Sequence, residues 1–193
     1  MTTHSSAPAV DQPRVLWFYG ADAVGKSTIG WEAYTLLTQQ PGQVAYVDTD
    51  YLSFCHPAPN NPAEVVADNL RAIWAVYHAR GVNTLVVSGI VVTSEDRDLF
   101  TAAIPAAEFT FCRLTAAPET VRQRIVARRE AEAATRGSEL DAQTHAELTE
   151  YGQRSAEFAE LLERFALEDF TLATDTVTPQ ILSAEAVDRF LTA

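Results

Sequence analysis

Lysine is almost absent from this chain. Its 193 residues carry 14 basic side chains, and 13 of these are arginine; Lys26 is the one lysine. Against 26 Asp and Glu they leave a net charge of −12. That balance argues against sequence-independent binding to nucleic acid, which needs a basic face to displace phosphate counterions. It argues equally against a polybasic membrane anchor. Cysteine is scarce too. Cys55 and Cys112 lie far apart, neither has a second cysteine close enough to form a metal pair, and each sits in an apolar stretch. Both are therefore expected as buried, reduced thiols. No apolar run approaches the ~20 residues of a membrane span. The opening MTTHSSAPAVDQ has neither a basic start nor an apolar run, so no signal peptide is expected and the expected location is cytoplasmic. Repeats, low-complexity tracts and long linkers are also missing. The 47% hydrophobic and 21% charged content suits one globular domain. The expected organisation is a flexible tail over 1–13 and a single domain over 14–193.

Short β-rich apolar runs alternate with longer helical patterns. Strands are expected over 15–19, 44–47, 84–88, 109–114 and 170–173. Four of the five are nearly continuous apolar runs, as in strands buried on both faces of a parallel sheet. The clearest helix runs over 62–80, where Val66, Leu70, Ile73, Trp74 and Tyr77 form one apolar stripe. Asn61 is placed as its N-cap, Pro62 at its first position and Glu64 where a capping box would reach back. Gly81 closes it. Strands alternating with helices read as an α/β doubly wound sheet.

After the first strand comes Gly20-Ala21-Asp22-Ala23-Val24-Gly25-Lys26-Ser27-Thr28, followed by a helical pattern over 29–39. This is G-x-x-x-x-G-K-[ST] between a strand and a helix, the context that a phosphate-binding loop requires. Gly20 and Gly25 let the backbone turn its N–H groups inward onto phosphate oxygens, with Ala23 between them. The helix start at Lys26, Ser27 and Thr28 adds its positive dipole end. Lys26 is placed to reach the β- and γ-phosphates, and the Ser27 hydroxyl to ligate Mg²⁺.

The loop alone does not name a reaction. The guanine-reading N-K-x-D of switch GTPases does not occur, and the third strand ends Ser88-Gly89 with no acid. Carboxylates follow the second strand instead, as Asp48-Thr49-Asp50. Residues i and i+2 at a strand end point the same way, so both acids can face the phosphates; alternatively, one or both cap the following turn.

At this point the chain resembles the P-loop small-molecule kinases, the group of shikimate kinase, gluconate kinase, adenylylsulfate kinase and chloramphenicol phosphotransferase. The resemblance rests on the loop over 20–28, Asp48-Thr49-Asp50, Ser88-Gly89 and the arginine-rich helical stretch over 121–129. It implies a three-layer α/β fold with a doubly wound five-stranded parallel sheet, the P-loop nucleoside triphosphate hydrolase fold, with a helical lid over about 129–141. It also implies ATP as donor, Mg²⁺ as cofactor and a small-molecule hydroxyl as acceptor. In shikimate-kinase-like members a D-x-D here holds Mg²⁺ through water and contacts the acceptor. That makes Asp48 the Mg²⁺ partner, and Asp50 the acceptor-binding residue and candidate base.

Asp22 is unusual, because a carboxylate inside a polyphosphate loop is unfavourable unless it faces away from the anion. The loop resembles that of thymidylate kinase, where an acid at this position faces the acceptor. Asp22 is thus a second candidate base, or else a solvated carboxylate bonded to a neighbouring N–H. The rest of that pattern is missing: Asp96-Arg97 is followed by no aromatic and sits at a helix start with Thr93 or Ser94 as N-cap.

Arg122, Arg124, Arg128, Arg129 and Arg136 fall within fifteen residues. By resemblance, Arg124 and Arg128 contact the nucleotide, and Arg136 lies near the lid tip, where a guanidinium binds phosphate bidentately. The other reading is a solvated helix face paired with Glu119, Glu130 and Glu132. In this architecture the acceptor lies over the second strand and the end of the third, which offers Asp50, Tyr51, Phe54, Arg71, Ser88 and Gly89. Between 51 and 90 only Arg71 and Arg80 are basic, and Arg80 is explained as a helix C-terminal cation. This scarcity favours a neutral or weakly anionic hydroxyl acceptor over a nucleotide. The expected function is ATP- and Mg²⁺-dependent phosphorylation of a small metabolite or natural product, an antibiotic among the possibilities, by a monomer or homodimer. A nucleoside or nucleoside monophosphate kinase is the alternative, and a non-catalytic nucleotide-binding module the second.

Overall fold

The structure is a computed structural model that describes residues 12–193; most of the expected N-terminal tail lies outside the described residues. Five strands are present: β1 (Arg14–Tyr19), β2 (Val44–Asp48), β3 (Thr84–Ser88), β4 (Glu108–Thr115) and β5 (Phe170–Ala173). All pair in parallel, in the order β2-β3-β1-β4-β5. Six helices connect and follow them: α1 (Lys26–Leu37), α2 (Pro62–His78), α3 (Ser94–Ala103), α4 (Pro118–Thr135), α5 (Ala142–Phe165) and α6 (Pro179–Thr192).

The alternation of side chains along β1 builds the layers. Val15, Trp17 and Tyr19 point to one face, into a core with Leu70 and Trp74 of α2 and Phe100 of α3. Leu16 and Phe18 point to the other, against Ile29 and Ala33 of α1 and Phe190 of α6. After Arg14 the central strand is therefore aliphatic or aromatic through Tyr19, since neither face meets water there. Trp17 stacks on Phe100 with ring centroids 4.9 Å apart. Full burial of such a side chain contributes about 1.5–3 kcal/mol.

Local signals set the helix ends. The Asn61 side chain accepts the Ala63 N–H at 3.1 Å and Pro62 follows it. A complete capping box stands at α3, where the Thr93 hydroxyl accepts the Asp96 N–H at 3.2 Å and Asp96 accepts the Thr93 N–H at 3.1 Å. Helix α4 runs through Thr135, so the first half of the expected lid is helical. The residues of 136–141 turn the chain into the long helix α5, which packs back along α4 as a helical hairpin.

One buried ion pair ties the sheet together. Arg113 Nε donates to Glu168 Oε1 at 2.9 Å, and Tyr19 Oη donates to Glu168 Oε2 at 2.6 Å. Burial acts to raise the Glu168 carboxyl, but the bonds from Tyr19 and Arg113 outweigh it and hold that group below its ordinary value. Cys112 is buried as expected, and burial pushes its thiol up. Cys55 corrects the expectation of two buried thiols. It is exposed, because the segment between Tyr51 and Asn61 forms no strand or helix and runs over the surface, where Tyr51 and Phe54 meet edge to face. No helix among the described residues is long and apolar enough to cross a membrane.

Candidate active site

The phosphate-loop residues gather at the C-terminal end of the sheet, where open α/β folds bind ligands. A side chain at position 20 would lie 2.4 Å from the Leu114 carbonyl oxygen, so glycine alone lets β1 turn so close to β4. Gly25 is the N-cap of α1, and no side chain caps that helix. The N–H groups of its first turn are left for an anion. Lys26 is buried, and its ammonium donates to the carbonyls of Gly20 and Ala21, both at 3.2 Å. Ala23 adopts a left-handed conformation within the loop.

Asp48 does both things its sequence position allowed. Its Oδ1 accepts the Asp50 N–H at 3.1 Å, capping the single 3-10 turn Thr49–Tyr51. Its Oδ2 accepts the Ser27 hydroxyl at 2.7 Å. Among the described residues no group of three or more His, Cys, Asp or Glu could hold a metal ion. The pair of Ser27 hydroxyl and Asp48 carboxylate does fit Mg²⁺, which takes one or two hard oxygen groups from protein and the rest from phosphates and water.

Asp50 faces a cavity of about 490 Å³ next to the loop. Burial pushes its carboxyl up; the Lys26 charge opposes that, and the charges of Asp48 and Asp22 reinforce it. Asp22 lines the same cavity. The Tyr151 hydroxyl on α5 donates to Asp22 Oδ2 at 2.5 Å, and the Ser155 hydroxyl donates to the Asp22 carbonyl at 3.4 Å. Burial, then the bond to Asp22 and its charge, push the Tyr151 phenol up to about 12. The Asp22 side chain is thus tied to the helical hairpin through Tyr151.

A second cavity of about 360 Å³ opens on the other side of the loop, lined by Gly25, Thr28, Arg124, Arg128, Thr174 and Val177 among others. Arg124 donates to the Thr174 hydroxyl at 2.9 Å, the Thr174 carbonyl at 2.5 Å and the Ala23 carbonyl at 3.3 Å. A third, of about 300 Å³, lies between the loop, α4 and α5, with Arg128 and Arg129 in its wall. The arginine cluster therefore divides. Arg124 and Arg128 line the second cavity, Arg122 pairs with Glu119 on the helix surface, and Arg129 pairs with Glu132 at the third cavity. Arg136 is exposed at the end of α4.

The expected acceptor residues mostly lie elsewhere. Of Asp50, Tyr51, Phe54, Arg71, Ser88 and Gly89, only Asp50 lines the cavity. Tyr51 and Phe54 are exposed outside it. Arg71 is on the solvent side of α2, paired with Asp68 at 2.5 Å. Ser88 is fully buried, with its hydroxyl 2.6 Å from Tyr46 Oη. Gly89 packs beneath Thr49, whose hydroxyl donates to the Ser88 carbonyl at 3.2 Å. The cavity wall instead brings in Ser53, Asn61, Val66, Ile90, Val92 and Phe100. Asn61 and Asp96 were legible only as helix caps, and Tyr151 carried no signal, since its partner lies 129 residues away.

No family model matches this chain, and no curated protein matches it. Solved structures do. The adenylylsulfate kinase of Mycobacterium tuberculosis in complex with AMPPNP and APS is 17% identical at a TM-score of 0.58, covering 94% of this chain and 99% of the other. A tunicamycin resistance protein of Deinococcus radiodurans is 12% identical at 0.59, covering 92% and 95%. A gluconokinase of Sinorhizobium meliloti is 18% identical at 0.53, covering 93% and 92%. Identities this low speak for architecture. The chain has the fold of the P-loop small-molecule kinases, an α/β domain with a five-stranded parallel sheet.

Proposed function

We propose that this protein transfers the γ-phosphoryl group of ATP to a hydroxyl of a small molecule. The observation that carries this reading is the pair of cavities meeting at one phosphate loop, with Asp50 in the wall of one and Arg124 and Arg128 in the wall of the other. A module that only binds nucleotide needs the second cavity alone. The acceptor oxygen forms a bond to the γ-phosphorus as the bond from that phosphorus to the β–γ bridging oxygen breaks, and ADP leaves. Asp50 orients the hydroxyl and takes its proton, and its raised pKa suits a base working nearer neutrality. Lys26 and the first-turn N–H groups of α1 offset charge on the phosphates. Mg²⁺, held through Ser27 and Asp48, supplies further neutralisation when bound.

Lys26→Ala should lower phosphoryl transfer at least a hundredfold, read as acceptor-dependent ADP release, while circular dichroism shows an intact fold. Retained turnover overturns the assignment. Asp50→Asn should reduce kcat about 10²–10⁴-fold, the usual contribution of a general base, with the KM for ATP little changed. An unaltered kcat moves the proton-accepting role to Asp22.

A further inference from the structure

The acceptor cavity carries a charge that phosphate chemistry does not require. Among the described residues its lining holds three carboxylates, Asp22, Asp50 and Asp96, and no Lys, Arg or His. Asp96 is satisfied within the protein, since its Oδ2 accepts the N–H groups of Val92 and Thr93, each at 3.1 Å, at the start of α3. Neither of the other two forms an ion pair among the described residues, although Asp22 also lines the third cavity, whose wall holds Arg128 and Arg129. Asp22 is bonded by the Tyr151 phenol, which is neutral. The ammonium nearest Asp50 in the loop is that of Lys26, which rests on the carbonyls of Gly20 and Ala21 and serves the triphosphate in the proposed reaction. A seated triphosphate adds negative charge beside them. The arginines in and just after the neighbouring helix turn away: Arg71 pairs with Asp68 at 2.5 Å, and Arg80 donates to the Val76 carbonyl at 3.0 Å.

An anionic acceptor entering this cavity would meet two carboxylates and a polyphosphate with no Lys, Arg or His in the lining to pair with, and like charges a few ångströms apart repel strongly where water is thinned. A protonated amine meets the reverse. Much of the remaining lining is apolar, with Val66, Ile90, Val92 and Phe100. The volume of about 490 Å³ is that of a small-molecule site, in which a few polar groups orient a mostly apolar ligand. We propose that the acceptor is an amino alcohol, with its hydroxyl on Asp50, its ammonium on Asp22, and its apolar body against Val66, Ile90 and Phe100. This rests on the kinase reading and narrows its acceptor from any small hydroxyl compound to a cationic one.

The test uses the full chain with ATP and Mg²⁺ and a probe set in three charge classes: phenyl- and cyclohexyl-bearing amino alcohols, their N-acetyl amides and their N-succinyl acids. Compounds that drive ADP release should come from the amine class. N-acetylation of each should raise KM at least tenfold, and the acids should be inert. Asp22→Asn, which keeps an acceptor for the Tyr151 hydroxyl, should raise KM about tenfold for the amine and less than threefold for its amide. Neutral or acidic probes phosphorylated as well as the amines overturn the charge assignment and leave the kinase reading standing. An equal effect of Asp22→Asn on amine and amide overturns the role of Asp22. ATP binding without phosphorylation of any class overturns the kinase reading, and this inference with it.

Discussion

A methyl group at position 89 would sit 1.7 Å from the Thr49 hydroxyl. That single approach explains why a glycine follows the buried end of β3. It lets the turn Thr49–Tyr51 settle onto the sheet and brings Asp50 to the cavity wall. Gly89→Ala must therefore push the turn away, at a cost of about 1–3 kcal/mol typical of overpacking. The urea midpoint should fall accordingly, and kcat should fall with the KM for ATP nearly unchanged, because the donor side of the loop is untouched. An unchanged kcat would mean that the position of Asp50 does not matter. The same scale shows which residues were legible. Gly20, Gly25, Lys26 and Ser27 were, because their chemistry is carried by contiguous backbone that a motif describes in full. Asp48 was, because it ends β2 and strand periodicity aims it; Asp50 owes its place to the 3-10 turn Thr49–Tyr51, which that periodicity does not describe. Tyr51 and Phe54 were not, because their exposure depends on where the irregular 52–61 segment runs, and no local pattern encodes that; Arg71 is exposed on α2, outside that helix's buried residues.

At the scale of elements, α5 is the helix whose contacts with the loop over 20–28 are all tertiary. It is long and largely polar, and its apolar positions matter only because α4 lies alongside. Leu148, Phe158 and Leu162 face inward, and Tyr151 and Ser155 on the same side reach Asp22 in the phosphate loop. The stretch over about 129–141, expected as a lid, is the end of a helical hairpin whose second arm touches the 20–28 loop at Asp22. Tyr151→Phe removes one hydrogen bond to a carboxylate in a partly exposed place and should cost about 1 kcal/mol of stability. Its functional effect should be larger on nucleotide than on fold: a several-fold rise in the KM for ATP, with the hydrogen-exchange protection of α5 reduced. A loss of stability with an unchanged KM would make Tyr151 a packing residue and nothing more. The strands and α2 were legible to within a residue or two, since their apolar periods and caps are local. The pairing of α4 with α5 was not, since it is a tertiary contact.

Over the whole molecule, the seam that joins β1, β4 and the α5–β5 connection stands directly beneath the phosphate loop: Tyr19 is the residue before Gly20, and it shares Glu168 with Arg113. No reading of spacing pairs Arg113 with an acid 55 residues on. The consequence for stability has a definite sign. Glu168 is held below its ordinary value in the fold, whereas the unfolded chain titrates near 4.5. Its contribution is therefore complete above about pH 4.5 and is lost as pH falls through the lower folded value. Glu168→Gln leaves the buried Arg113 guanidinium without a counter-charge, which typically costs about 3–5 kcal/mol, and urea unfolding at pH 7 should show a loss of that order. As pH falls through the lowered folded value the two proteins should converge, because the wild-type carboxyl is then protonated as well. A gap that stays constant across the whole acid range in which both proteins fold would assign the loss to packing. The double variant Arg113→Met/Glu168→Leu separates the charge from the shape. Replacing both partners with apolar side chains removes the unpaired ion, so most of the stability at pH 7 should return. The acid-dependent part should be absent, and ATP-dependent phosphorylation should survive, since neither side chain lines the acceptor or nucleotide cavity.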